Sequence, residues 1–281
     1  MKASKQKLVS DTKNRGLSKP WVPIYDVGDD AHIVPQFAHS LGMMKGHPLR
    51  YPQVLKGSKI WRRTSLTKTF ISVIPYQGKD KDGKDMLKSF VYKPRGNSKL
   101  AYGKTRFPII PVINGYTEKG DKVRIIAILT DGENFAHNYK TYFAPEINEI
   151  VKKKDLNFDG IEIVRSPDKE DIDTQLKLFG DVISLIGDNE EIYACITYGT
   201  KPTPILESMA LRYAYQLKKN VSIGCIVYGR YTFKDESDNN GIYDTTALFH
   251  MESVVNRLAE LKISNPEIAI KAMLEDDKND Q

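Results

Sequence analysis

The residues most suited to chemistry form a short polar segment, residues 197–201, between an apolar run and a helix-like stretch. Gly199 permits a sharp turn and lets another group approach the backbone closely. The threonine hydroxyls can donate hydrogen bonds, Lys201 adds a mobile positive charge, and a helix beginning near Pro202 presents unpaired N–H groups. These features favour a phosphate or another anion, although an ordinary strand-to-helix turn with an exposed lysine has the same pattern. The candidate ligand-binding residues of this segment are Thr197, Tyr198, Gly199, Thr200, Lys201 and Pro202.

Two other predicted strand ends carry side chains that suit a nucleotide. One follows an apolar run that ends at Pro75, and the other follows the strand predicted over 122–131. Tyr76 could stack on a base, while Gln77 and Asn134 could hydrogen-bond to base edges or ribose; packing of Tyr76 on its own loop is the alternative. The candidate ligand-binding residues at these two ends are Pro75, Tyr76, Gln77, Thr130, Asp131 and Asn134.

Several familiar kinds of site are excluded by their missing motifs. The sequence has no GxGxxG after a strand, no GxxxxGK[ST] and no GxSxG, so it predicts neither a dinucleotide cofactor nor a Walker loop nor a hydrolase elbow. The spacing of the histidines near the N-terminus, with the neighbouring aspartates, matches no zinc pattern. We therefore expect no metal and no cofactor. The residues considered as metal ligands are His32, His39, His47, Asp26, Asp29 and Asp30.

Alternating apolar runs and helical patterns must position these residues. Strands are predicted over 69–75, 122–131, 160–166, 191–197 and 221–228, and a hairpin or edge strand within 78–94. Helices are predicted from Pro108, limited by Pro111, and over 138–153, 169–187, about 203–218 and about 246–262. This order predicts a doubly wound, Rossmann-like α/β fold, with a mainly parallel sheet and helices on both faces.

Two of these helices have a predicted inward stripe. In 169–187 it comprises Ile172, Leu176, Phe179, Ile183 and Ile186. In 246–262 it comprises Leu248, Met251, Val255, Leu258 and Leu261. Asp244 or Thr245 is expected to cap the second helix.

Charge and composition divide the 281 residues into three parts. Residues 1–66 hold twelve Lys and Arg against four Asp, a net +8, which leaves −2 for 67–281 out of a total of +6. We expect 1–66 to be a partly disordered, irregular basic extension, 67–264 the α/β domain and 265–281 a short acidic tail. The basic charge is explained by solubility, with nucleic-acid contact as the alternative.

The remaining composition favours a soluble, cytoplasmic protein. No apolar run approaches the roughly 20 residues of a membrane span, and the N-terminal stretch lacks the apolar core of a signal peptide. Cys195 and Cys225 both fall in predicted buried strands, which argues against a disulfide framework and for a reducing compartment.

Three segments together resemble a known family. "ITYGTKPTPILESMALRYAYQLKK", "VSIGCIVYGRY" and "GIYDTTALFHMESVVNRLAEL" resemble the CRISPR-associated Rossmann-fold (CARF) domains, and the resemblance covers about residues 67–262. Cys195 stands where the family often has aspartate, and Tyr198 stands for a histidine or a first glycine. The positions that match the family motif are Thr197, Gly199, Thr200, Lys201 and Pro204.

The resemblance implies a receptor for cyclic oligoadenylate, the second messenger of type III CRISPR antiviral defence. CARF domains pair across a two-fold axis, so a homodimer would present two copies of the loop to one cyclic tetra- or hexa-adenylate. A sensor only binds the ring. A metal-independent ring nuclease would also cleave it, with Lys201 on the developing charge and Thr200 or Thr197 positioning the ribose.

Two further alternatives stay open at this stage. Residues 1–66 could supply an output by contacting nucleic acid or a protein, or could simply pack their aromatic residues on the main domain. The chain could also be a nucleotide-binding protein outside CRISPR defence, with the loop holding a mononucleotide.

Overall fold

The computed structural model describes residues 66–232 and 240–270. The elements below all lie within one compact unit, Arg50–Pro266. The predictions for the basic extension, for its output role and for its histidines fall outside the described residues, as does most of the predicted acidic tail.

A seven-stranded, mainly parallel sheet organises the domain, with the strand order β3-β9-β8-β7-β1-β5-β6. Among the described strands of this sheet, the β8–β9 pair alone is antiparallel, and β2 and β4 form a separate antiparallel pair. The strands are β1 Thr67–Val73, β2 Phe90–Val91, β3 Lys93–Arg95, β4 Lys104–Thr105, β5 Lys122–Thr130, β6 Asn157–Ser166, β7 Glu190–Cys195, β8 Ser222–Arg230 and β9 Gly241–Asp244.

Helices connect the parallel strands and flank both faces of the sheet, as the sequence predicts. The helix Ile109–Tyr116 packs with the helix Ala144–Lys154, and the helix Ile172–Leu185 packs with the helix Pro202–Leu217. The helices are α1 Ile109–Tyr116, α2 Glu133–Asn138, a π-helical turn Tyr139–Phe143, α3 Ala144–Lys154, α4 Ile172–Leu185, α5 Pro202–Leu217 and α6 Thr246–Glu260. The doubly wound α/β fold is therefore confirmed. Pro111 does not limit the first helix, which continues to Tyr116 because a proline in the first turn removes no helical hydrogen bond, and strand β9 was not predicted.

The predicted inward faces of α4 and α6 are partly wrong. Ile172 and Leu176 of α4 are exposed, and this helix buries Leu178 and Val182 instead. Of the stripe predicted for α6, Leu248 and Val255 are exposed, as is Leu261 just after the helix, whereas Leu258 is buried as predicted. The helix also buries Phe249 and Val254. Both helices carry apolar residues on more than one face, so periodicity alone could not identify the face that meets the sheet. The N-cap residue is Thr245, whose side chain makes no capping hydrogen bond. The Asp244 carboxylate, one residue earlier, instead accepts from the Thr246 N–H at 3.0 Å.

In the core, the ring of Tyr193 packs against residues of both neighbouring strands. Tyr193 of β7 stacks on Phe70 of β1, with ring centroids 4.6 Å apart and planes 12° apart. On β8, a Cβ at Gly224 would lie 2.4 Å from a ring carbon of Tyr193. The glycine therefore leaves the space that the Tyr193 ring needs, and packing at this density tolerates no added methyl group without movement.

We expect Gly224→Ala to lower the free energy of unfolding by about 1–3 kcal/mol, because its methyl group must displace the Tyr193 ring. Urea denaturation measures the change. Gly180→Ala is the matched control: Gly180 is exposed within α4 and has open space around its Cβ position, so it should gain up to about 1 kcal/mol. A Gly224→Ala protein as stable as the wild type would contradict this account of the core.

Candidate functional site

The candidate site lies where the strand order of the sheet reverses. From β1 the chain moves to β5 and β6 on one side, then returns to β7 on the other side of β1. A crevice forms outside the carboxyl ends of two such strands, and open α/β sheets bind their ligands there. Segments 74–78 and 196–201 follow β1 and β7, so the topology brings most of the predicted site residues to one edge.

The loop after β7 presents its last residues to solvent. Gly199 has φ +105°, and a Cβ there would lie 2.8 Å from Cβ of Thr203, so glycine is required for both conformation and space. Thr200 and Lys201 are exposed at the start of α5. The Thr200 hydroxyl lies 3.2 Å from that of Thr203. The Lys201 ammonium group makes no hydrogen bond or ion pair with any described residue, so this cation can meet a ligand.

The first residues of the same loop are used internally. The Thr197 hydroxyl accepts the Gly229 N–H at 2.8 Å and lies 3.2 Å from Sγ of Cys195. Tyr198 is buried and donates its hydroxyl to the Arg106 carbonyl at 2.6 Å. Burial raises the pKa of the Tyr198 phenol well above its ordinary value. These two side chains hold the loop in shape, while Thr200 and Lys201 face outward.

An amide that sequence reasoning missed organises the loop after β1. Asn138, at the end of α2, is buried and donates to the carbonyl of Pro75 at 2.9 Å and to that of Gln77 at 2.8 Å. Tyr76, between those carbonyls, is 65% exposed and its ring lies 5.3 Å from that of Phe135. An asparagine among the apolar residues of a helix was the available signal. The clamp leaves Tyr76 as a rim aromatic with open surface.

The residues after β5 contact two different segments, the loop after β1 and the end of β6. The Asn134 side chain lies against Gly78, where a Cβ would come within 2.7 Å of the Asn134 amide nitrogen. Asp131 instead faces the end of β6, with its backbone N–H bonded to the Ser166 carbonyl and its carboxylate 3.8 Å from Arg165. Thr130, half-buried, ends the strand. Asn134 therefore belongs with the loop after β1, and Asp131 lies on the side away from β7.

An aromatic cover over this edge was also missed. The segment between β1 and α1 brings Phe90 into a stack on Tyr231, with ring centroids 4.9 Å apart. The Tyr231 hydroxyl accepts from the Gln77 amide at 2.9 Å. Tyr92, beside Phe90, is buried, and burial raises the pKa of its phenol. These contacts attach the rings to Gln77, just after β1, so a ligand of this site would meet Tyr76 and Lys201 on its exposed rim.

A buried acid lies beneath the loop. Glu207 of α5 is one turn beyond Thr203 and fully buried, and neither carboxylate oxygen has a hydrogen-bond partner among the described residues. Burial raises the pKa of Glu207 from its ordinary 4.5 to about 8, so the carboxyl is mostly neutral at pH 7. Glu207 lies on the same buried face of α5 as Thr203 and Ala210, and sequence reasoning missed it.

Comparison with known proteins does not identify a family for this chain. No family model matches the chain, and no curated protein is significantly similar to it. Within residues 66–232 and 240–270, no group of three or more His, Cys, Asp or Glu is arranged to hold a metal ion. Among the same residues no helix is both long and apolar enough to cross a membrane.

The raised pKa of Glu207 predicts a pH-dependent stability. Between pH 4.5 and about 8 the unfolded chain releases this proton while the folded chain keeps it, so the free energy of unfolding falls as pH rises. Glu207→Gln should therefore stabilise the protein by about 2–4 kcal/mol more at a pH above 8 than at a pH below 5. Urea denaturation at both pH values tests this, and an equal effect at both would show that Glu207 is not buried as an acid.

Proposed function

We propose that this protein binds a cyclic oligoadenylate as a homodimer and acts as a sensor in type III CRISPR antiviral defence. The observation that carries the proposal is Lys201, which is exposed beside Thr200 at the start of α5 and has no partner among the described residues. The likeness of the surrounding segments to CARF domains supplies the class of ligand.

The chemistry of the loop suits the phosphates of such a ring. A lysine ammonium group, a threonine hydroxyl and the N–H groups at the start of a long helix all favour an anion. Tyr76, on the rim of the neighbouring strand end, offers an exposed face on which an adenine can stack. Phosphate contacts and a stacking surface therefore occur at one edge of the sheet.

A stripe of exposed apolar residues supports the homodimer. It runs along α5 at every fourth residue, each member being 45–66% exposed, and comprises Ile205, Met209, Tyr213 and Leu217. Apolar side chains aligned in this way commonly mark a protein interface. If two copies of α5 pair side by side and point the same way, both Lys201 side chains come to the same end of the dimer.

The same residues support a second candidate, a metal-independent ring nuclease. Cleavage by a ribose 2′-hydroxyl needs that hydroxyl held in line with the phosphate and a cation on the developing charge. Thr200 can position the ribose and Lys201 can supply the charge, because the two residues are adjacent and exposed. A mononucleotide on the same loop, outside CRISPR defence, is the third candidate.

Ligand retention and product analysis distinguish these candidates. The purified chain is incubated with cyclic tetra- and hexa-adenylate in the presence of a chelator, and bound ring and linear products are both quantified. We expect retention, weakened about tenfold or more by Lys201→Ala because a charged hydrogen bond to phosphate is lost. Lys219→Ala, an exposed lysine beyond the other end of α5, is the matched control.

Each outcome leads to a different conclusion. Retention without products supports the sensor, whereas linear products that disappear in Lys201→Ala support the ring nuclease. Failure to retain either ring would remove both CRISPR functions and leave mononucleotide binding to be tested with labelled AMP and ATP.

The dimer has its own test. We expect Met209→Glu/Tyr213→Glu to turn a dimer into a monomer, because two charges would be buried in an apolar interface, and to weaken ring binding about tenfold or more. Sedimentation velocity gives the oligomeric state. Leu248→Glu, at an exposed apolar residue of α6, should leave the dimer intact. A wild-type protein that stays monomeric at high concentration with the ring bound would contradict the proposed pairing.

A further inference from the structure

A second concave surface lies beside the β2–β4 pair. This groove has a volume of about 600 Å³ and is lined by residues of 84–91, by β4 and its neighbour Arg106, and by Tyr142 of the π-helical turn. Four of its lining residues are cationic and one, Asp85, is a carboxylate. The groove therefore carries a net charge of +3, although residues 67–281 as a whole are acidic.

The Asp85 carboxylate and the Arg106 guanidinium already have partners within the protein. Tyr142 donates its hydroxyl to Asp85, and this hydrogen bond is the main cause that lowers the pKa of the Asp85 carboxyl. Arg106 pairs with Glu146 at 3.0 Å, donates to the Leu87 carbonyl at 3.2 Å, and lies over the Tyr142 ring at 4.0 Å. These contacts form a fixed wall of the groove.

The other three cations have no ion-pair partner among the described residues. Lys84, Lys88 and Lys104 are exposed, and their ammonium groups make no hydrogen bond or ion pair within the described part of the chain. Three uncompensated charges around one groove attract a ligand that carries several negative charges along its length. Repeated phosphates have this property, whereas a single carboxylate or phosphate would engage only part of the set.

The floor of the groove adds a surface for flat groups. Phe90 is held in place by its stack on Tyr231, and Val91 beside it is about half exposed. Sites for single-stranded nucleic acid combine a cationic groove that follows the backbone with aromatic side chains that receive the bases. An enclosed, mostly apolar pocket would instead indicate a compact small molecule.

We propose that this groove binds single-stranded nucleic acid, with Lys84, Lys88 and Lys104 contacting phosphates and Phe90 receiving a base. The contacts are to backbone and base faces, so binding is independent of sequence and sensitive to salt. The residues that line the groove include none of those proposed to bind cyclic oligoadenylate, and nothing in the proposal depends on that ligand.

Fluorescence anisotropy of the full chain with a labelled oligouridylate of about 20 nucleotides tests the groove. We expect Lys84→Gln/Lys88→Gln/Lys104→Gln to weaken binding about tenfold or more. The slope of log affinity against log salt should become shallower by about 2, since each phosphate contact on a single strand contributes about 0.7. Lys104→Gln alone should cause a severalfold loss, and this single variant tests the same groove if the triple variant folds poorly.

The matched control removes three exposed lysines at the opposite edge of the sheet. Lys119 follows α1, Lys152 lies in the last turn of α3 and Lys219 follows α5. The control variant is Lys119→Gln/Lys152→Gln/Lys219→Gln. Because both triple variants keep the basic N-terminal segment and have the same net charge, only the groove distinguishes them. The control and Lys201→Ala should both retain wild-type affinity.

Four results would overturn the proposal. They are absence of binding by the wild type, an equal loss in the control, no loss in the groove variants, and a loss in Lys201→Ala that places the strand on the other loop. A duplex that binds as tightly as the single strand would likewise exclude the role of Phe90, because paired bases cannot reach it.

Discussion

Strand β1 has neighbours on both sides, and this double pairing is the constraint on which the described domain depends. Phe70, Ile71 and Val73 are fully or almost fully buried, and burying each such side chain contributes about 1.5–3 kcal/mol. β1 pairs with β5 on one side and with β7 on the other, and the chain crosses from the first side to the second between β6 and β7. The loops that follow β1 and β7 therefore start side by side at the same edge of the sheet.

Buried polar contacts then give those loops a defined shape. The Asn138 amide holds two carbonyls of the loop after β1, while Thr197 and Tyr198 attach the loop after β7 to β8 and to the segment before α1. A buried polar group left without such a partner would cost about 1–3 kcal/mol, so these contacts restrict each loop to one arrangement. Thr200 and Lys201 thereby project from a rigid base, which reduces the entropy lost when a ligand binds.

The sequence predicted those features whose signals are local. Continuous apolar runs identified β1, β5 and β7, and the Gly-Thr-Lys turn identified the exposed part of the loop before α5. The cover formed by Phe90 and Tyr92 was not predictable, because β2 to β4 are two or three residues long and owe their positions to tertiary contacts. Glu207 was missed for a similar reason: no local pattern distinguishes a glutamate that faces the sheet from one that faces water.

The thiol of Cys195 lies within this packed region, between the Thr197 hydroxyl and the buried Glu207. Burial, with a smaller contribution from the Glu207 carboxyl, raises the pKa of Cys195 to about 11, so the folded chain holds almost no thiolate there at neutral pH. Alkylating reagents require the thiolate, and they can reach this fully buried sulfur only when the surrounding structure opens. The rate at which Cys195 is alkylated therefore reports how often the structure around β7 opens. It can be measured on the natural sequence without an added label.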